Sequence, residues 1–296
     1  MSELLNPTEQ EPQKDPFSQR MGCGFFFVLL LTVSSALIVS LFFFDVIGGM
    51  IPALFFFATL GLLLAAIAGM KVFKIPPEPL FGSFGKIASN LNYLGLTIVI
   101  IFCSMGIFLA KIILVYLIAP DWVSDFANRS DVMDFDFGET MMGNGVLFLA
   151  VVIIGPIAEE ILFRGILFTR WSRVYGPARA AFYSSLLFGV LHANALGLFF
   201  AGWVLCMVYM YTRSLWVPIA MHILNNLFAV LFYHFELFDM GLIDASNISE
   251  NLLPALGIVA ITLSLVFFLI QRLSPARQYP MPFDANRFEN TQPDGT

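Results

Sequence analysis

The sequence predicts an all-α fold: a polytopic bundle of about eight membrane-spanning helices with both termini in the cytosol. Three observations predict it. The chain is 58% hydrophobic and only 12% charged, where a soluble domain carries roughly 25% charged residues. The apolar runs between the charges are long enough to cross a bilayer, which takes ~20 residues. Within those runs Phe, Leu, Ile, Val and Gly mix without period-2 alternation, which argues for helices and against an outer-membrane barrel.

Residues 1–22 are polar and Pro-containing and are expected to be a disordered cytosolic tail. The first span, 24–44, is full length and has no small-residue cleavage site after it, so no cleavable signal peptide is expected. Spans at 50–70 and 94–118 follow, and Lys111 near the end of the latter can snorkel to the interface. The fourth, 144–168, contains GPIAEEILFRG. The fifth and sixth, 180–196 and 198–212, are joined so tightly that they read as a helical hairpin, and the sixth is short. Spans at 216–234 and 252–271 complete the transmembrane domain, 23–272. The remainder, 273–296, lacks an apolar period and is expected to be a second disordered cytosolic tail.

Lys and Arg orient the bundle. With the N-terminus inside, the inner segments hold twelve of them, Lys71, Lys74, Lys86, Arg173 and Arg213 included, and the outer segments hold only Arg129. The outer loops are acidic instead, so the net charge of −6 describes a solvated outer face and implies no nucleic-acid partner. Cys23, Cys103 and Cys206 are scattered, which excludes a disulfide framework and a CxxC metal pair.

Against this background the buried polar residues stand out, because ionisable groups within spans are rare and mark function by default. The fourth span carries Glu159, Glu160 and Arg164, the fifth His192, and the seventh His222 with Asn225 and Asn226. At ~1.5 Å per residue, Glu159 lies ~13 Å from the inner end of its span, His192 ~18 Å, His222 ~9 Å and Asn226 ~15 Å. Three helices remote in sequence thus bring polar groups to similar depth, as a shared water-filled cavity requires.

Helix geometry sorts their roles. Glu160 and Arg164 are i,i+4 with the acid first, the favourable order for an intrahelical pair. Glu159 is rotated ~100° away and keeps a free carboxylate. Pro156 removes a backbone donor and bends the helix beside it. Phe188 and His192 are i,i+4, as are His222 and Asn226. Glu159 with His192 would then hold and deprotonate a water, while His222 and Asn226 would stabilise the oxyanion of a scissile carbonyl. No serine or cysteine at matching depth offers a nucleophile triad.

At these residues the sequence resembles the CAAX-processing and bacteriocin-processing intramembrane endopeptidase family, also called CPBP or Abi and typified by type II CAAX prenyl endopeptidases. That family's pattern is EExxxR, then FxxxH, then HxxxN or HxxxD, each on its own transmembrane helix. Glu159, Glu160 and Arg164 match the first element, Phe188 and His192 the second, His222 and Asn226 the third. The resemblance covers about residues 145–235. It implies a conical cavity open to the cytosol, in a bacterial inner (cytoplasmic) membrane, and endoproteolysis of a membrane-associated protein or peptide. Asn225 beside Asn226 leaves two amides for one role.

The family is often labelled metalloprotease, although a metal-independent glutamate mechanism has been argued for its members. Zinc or another divalent metal would here take Glu159, His192 and His222. The HExxH helix that usually delivers two zinc ligands is absent, and Asn226 suits a donor pair better than a metal cage. No obligatory metal is therefore expected. Two readings from other classes remain: a transporter relaying protons or cations through the buried acids and histidines, and a non-catalytic immunity or scaffold protein. Against the transporter, the chain has no inverted repeat and no second EExxxR element.

Overall fold

A computed structural model describes residues 15–18, 38–39, 43, 50–87, 92–120, 140–192, 194–234 and 248–291. Every regular element among them is helical. The helices are α1 (Met50–Val72), α2 (Asn92–Ile118), α3 (Met141–Tyr175), α4 (Pro177–Val190), α5 (Ala195–Thr212), α6 (Trp216–His234), α7 (Ile248–Leu273) and α8 (Pro282–Thr291). Among the described residues five stretches are long and apolar enough to cross a membrane: α1, α2, α3, α5 and Leu252–Gln278. Apart from residues 38, 39 and 43, the expected span 24–44 lies outside the described residues.

The helix ends follow local chemistry. Thr140 opens α3 by accepting from the Gly143 N–H at 3.0 Å, which satisfies one of the helix's orphan donors. Gly176, at φ 80°, ends α3 in a backbone conformation that disfavours side chains, and Pro177 starts α4 where its missing N–H costs nothing.

The hairpin of α4 and α5 is shorter than a pair of full spans. α4 has 14 residues and stops at Val190, so His192 sits in the turn and not on the expected helix 180–196. Asn194 fastens that turn: its Oδ1 accepts from the Gly197 N–H at 3.4 Å, and its Nδ2 donates to the Ser104 carbonyl at 3.1 Å. A Cβ on Gly189 would meet the Ala195 carbonyl oxygen at 2.3 Å, so the two arms approach this closely only because that side chain is absent. Ser104 is the thirteenth of the 27 residues of α2. The hairpin tip therefore reaches only about half-way along α2, and it carries His192 there.

At the other end of the bundle the chain is knitted together. The Tyr209 hydroxyl donates to the Leu80 carbonyl at 2.8 Å, and the Ser214 hydroxyl donates to that of Ser83 at 2.8 Å. The expected disordered tails are corrected here for the residues described. Phe283 of α8 is fully buried, packs edge-on against Phe17 at 5.0 Å, and belongs to the same core as Leu80, Ile166 and Tyr209. Asn286 donates to the carbonyls of Pro79 and Arg213, both at 2.9 Å. Arg173 joins Asp15 to Asp284. Neither tail has an apolar period of its own, but two phenylalanines from opposite ends of the sequence complete one core. Lys111 lies over the Phe108 ring, 4.5 Å from its centre, in keeping with a structural role.

Candidate active site

α3 is not a uniform α-helix. Residues Leu149–Ile154 and Ile161–Phe168 are wound as wide π turns on either side of an α-helical segment, Gly155–Glu160. Such turns are rare and concentrate at functional sites. Here they bracket the two glutamates.

Glu160 and Arg164 are both fully buried, and Glu160 Oε1 accepts from Arg164 Nη1 at 2.7 Å. A buried charge left alone would be expelled or neutralised, so the pair holds both in place. Two further contacts hold the arginine, although its Nε, like Glu160 Oε2, is buried with no hydrogen-bond partner among the described residues. Its Nη2 donates to the Gly202 carbonyl of α5 at 3.2 Å, and its guanidinium lies 4.5 Å over the Phe188 ring. A Cβ on residue 202 would stand 3.1 Å from Nη2 and 3.2 Å from the Phe188 ring, so the close fit depends on glycine.

Phe188 is the hub of the site. It packs against the rings of Phe163 (5.2 Å), His192 (4.7 Å) and His222 (5.7 Å) as well as the arginine. The FxxxH spacing predicted the contact with His192; the other three come from elements distant in sequence.

Glu160 has a second duty that its sequence position did not reveal. The same Oε1 lies 2.8 Å from His222 Nδ1. A carboxylate accepts, so Nδ1 carries the hydrogen and the Nε2 of a neutral His222 bears a lone pair. His192 is fixed likewise: its Nδ1 lies 2.7 Å from the Phe188 carbonyl, an acceptor exposed at the end of α4, so Nδ1 donates there too. Both Nε2 atoms face Glu159. Its Oε2 stands 3.9 Å from His192 Nε2 and 3.8 Å from His222 Nε2. Three acceptor atoms from three elements thus surround one point. The side chains of Glu159 and His192 retain partial exposure, 20% and 31%, whereas His222 is buried.

Asn226 is one turn beyond His222 on α6, and its Nδ2 donates to the Val151 carbonyl of α3 at 2.9 Å. Asn225 Nδ2 donates to Asn226 Oδ1 at 3.2 Å, and its side chain lines a narrow apolar slot with Thr97, Phe188 and His222. All seven residues singled out from the motifs therefore assemble in one place. His234's side chain lies outside the described residues.

The acceptor set does not form a ready-made metal cage. Bonds of ~2.0–2.2 Å in tetrahedral geometry place a zinc ion's ligand atoms about 3.3–3.6 Å apart, closer than the separations from Glu159 here. Among the described residues no group of three or more His, Cys, Asp or Glu is arranged to hold a metal.

Comparison with known proteins places this geometry. Residues 142–228 match the family model described as Rce1-like, type II CAAX prenyl endopeptidase. This part of the chain is CAAX-protease-like. The Rce1-like segment runs from α3 into α6 and contains every motif residue, while α1, α2, α7 and α8 lie outside it. Two relatives agree over a similar length. The "Putative membrane peptidase YdiL" of Bacillus subtilis is 34% identical over 89 residues, 29% of this chain and 36% of that protein. The "Membrane-embedded CAAX protease MroQ" of Staphylococcus aureus is 32% identical over 96 residues, 29% of this chain and 39% of that protein. The chain thus spans little more than a third of the length of these relatives. No solved structure gives a significant match.

Proposed function

We propose that this chain is an intramembrane endopeptidase that hydrolyses a peptide bond of a membrane-associated protein or peptide with a water activated by Glu159. The observation that carries the reading is the convergence of Glu159 Oε2 with the Nε2 atoms of His192 and His222, at 3.9 and 3.8 Å. Glu159 and His192 offer two acceptors to a water, which has two hydrogens to give and must lose one to become a nucleophile, and His222 stands beside them on the oxyanion side. The Rce1-like match over these residues supports an endopeptidase activity.

In this mechanism the water oxygen attacks the scissile carbonyl carbon while its proton passes to Glu159. The oxyanion is stabilised by His222 and by the amide hydrogen of Asn226 that Val151 does not take. For this, His222 has to present an N–H at Nε2 while its Nδ1–H stays on Glu160 Oε1. The proton on Glu159 then moves to the amide nitrogen as the C–N bond breaks, releasing a carboxylate and an amine. His192 orients the water through its Nε2 lone pair. No step of this mechanism calls for a metal.

The basic end of the bundle is proposed to face the cytosol of a bacterial cytoplasmic membrane. Residues 15–18 and α8 meet at that end, which requires an even number of crossings between them. Eight crossings meet that requirement, and so do six with α4 and α5 as a hairpin that enters and leaves on one side. In a cysteine-free variant, single cysteines at 122–138 or 236–250 should react with an impermeant thiol reagent from outside; labelling only from the cytosolic side overturns the orientation.

The deciding experiment is a peptidase assay on the purified chain with a panel of membrane-anchored C-terminal peptides. Cleavage by the wild type that survives chelation and is lost in Glu159→Ala supports the proposal. Equal cleavage by both proteins, or none by either across the panel, sinks it.

A further inference from the structure

We propose that Asn226 is a positioning residue, whose amide fills the hydrogen-bond vacancy that Pro156 creates at the Val151 carbonyl and thereby sets where Glu159 points. This deepens the reading of the site as a glutamate-based peptidase and rests on it for its catalytic consequence.

The vacancy follows from the winding of α3. In an α-helix the Val151 carbonyl would accept from residue 155, and in a π turn from residue 156. Gly155 gives its N–H to the Ala150 carbonyl, one residue further back. Residue 156 is proline and has no N–H to give. A carbonyl without a donor deep in a bundle costs what a lost hydrogen bond costs, and lipid supplies no substitute. Asn226 Nδ2 occupies the vacancy at 2.9 Å. The orientation of the amide is settled by its neighbours, since Asn225 Nδ2 donates to Asn226 Oδ1 at 3.2 Å on the other side.

The bond does more than satisfy an oxygen. α3 and α6 are joined by two polar links, Val151 to Asn226 and Glu160 to His222, the latter at 2.8 Å. One lies on each side of Pro156, so together they hold the α-wound segment between the two π stretches. Glu159 lies on that segment, and its distances to His192 and His222 follow its placement. Loss of the upper link frees the N-terminal half of α3 to move against α6, and a misplacement of ~1 Å at a reacting group is worth about 10²-fold in rate.

The positioning role makes Asn226 dispensable for the geometry around Glu159 wherever residue 156 can donate, whereas a direct oxyanion role by itself predicts no such rescue. The chain has three histidines, so ¹⁵N-histidine labelling of the purified full chain reads the geometry around Glu159 without any substrate. Asn226→Ala should shift the His192 and His222 resonances, leave His234 in place, and lower Tm. Combined with Pro156→Ala, which restores the N–H, Asn226→Ala should change both readouts by less than half as much. For kcat the rescue should be partial, because the oxyanion hydrogen of Asn226 is not restored, with KM little changed throughout. Pro156→Gly, which restores the N–H without a side chain, is the second background if the alanine variant does not fold. An Asn226→Ala protein that folds only with a donor at residue 156 is the strongest form of the expected result. Equal effects of Asn226→Ala with and without Pro156, or unmoved His192 and His222 resonances, overturn the proposal. Coupling in a chain that cleaves no peptide would retain the positioning role and sink the peptidase reading instead.

Discussion

α3 and α7 are both long apolar helices that contain a proline, and they use their surroundings in opposite ways. In the apolar centre of α3, 56% of residues are buried inside the protein, against 17% for α7 and its extension. α3 carries Glu159, Glu160 and Arg164, whereas residues 252–271 of α7 contain no ionisable group. Leu253, Phe267 and Phe268 of α7 are instead exposed, at 81%, 63% and 61%. Pro254 lies in the second turn of α7 and is exposed; Pro156 is buried mid-helix and its orphaned carbonyl is answered by Asn226. The comparison teaches that charges and broken backbone are confined to the helix that protein covers. Hydrocarbon offers no hydrogen bonds, so only a covered helix can find partners for them.

The largest effect should come from the two adjacent acids of α3. Glu159→Gln should leave Tm near wild type and lower the cleavage rate roughly 10²–10⁴-fold, as loss of a general base does. A Glu159→Gln protein with normal turnover would end its role as the base. Glu160→Ala should instead destabilise by about 3–5 kcal/mol, because it strands the buried Arg164; Tm and detergent unfolding read this directly. Leu263→Ala on the exposed face of α7 should change stability by no more than about 0.5 kcal/mol.

Glycine substitutions sharpen the contrast. Gly202→Ala forces a Cβ against Arg164 and Phe188, and should cost about 1–3 kcal/mol as overpacking does. Gly257→Ala in α7 meets nothing within 4 Å, and should be neutral or stabilise by up to ~1 kcal/mol through helix propensity. Equal effects at the two positions would erase the distinction between covered and uncovered helices.

The smallest effect belongs to an ion pair outside the apolar layer. Arg173 is paired with Asp284 of α8 where both side chains keep a quarter to a third of their exposure. Asp284→Ala should cost about 0.2–1 kcal/mol, and less in high salt. A loss as large as that from Glu160→Ala would mean that α8 carries far more of the fold than its exposure implies.

Much of the fold was legible. Apolar runs located α1, α2, α5, α6 and α7 within four residues, since a helix in lipid needs little beyond length and hydrophobicity, while α3 runs seven residues past the expected end at 168. The α4 boundary was missed because Leu191 and the residues after Asn194 continue the apolar composition through a turn. α8 was missed because its burial depends on Phe17, 266 residues away along the chain from Phe283. Within the site, the i,i+4 pair of Glu160 and Arg164 was legible because one helix determines it. The bond from Glu160 to His222, the hub position of Phe188 and the Val151–Asn226 link were not.

The sequence by itself determined the helical class, the residues too polar for their surroundings, and the order in which they occur. Those properties are local: hydropathy needs only a window of residues, and a helix face needs only its own spacing. Which polar groups meet was decided by the tertiary structure alone. Glu160 could have served Arg164 only, and Asn226 could have faced an empty cavity. Packing α3 against α6 assigned the carboxylate to His222 and the amide to the Val151 carbonyl that Pro156 leaves open, because lipid offers no hydrogen bonds and a buried donor or acceptor finds its partner on whichever helix touches it.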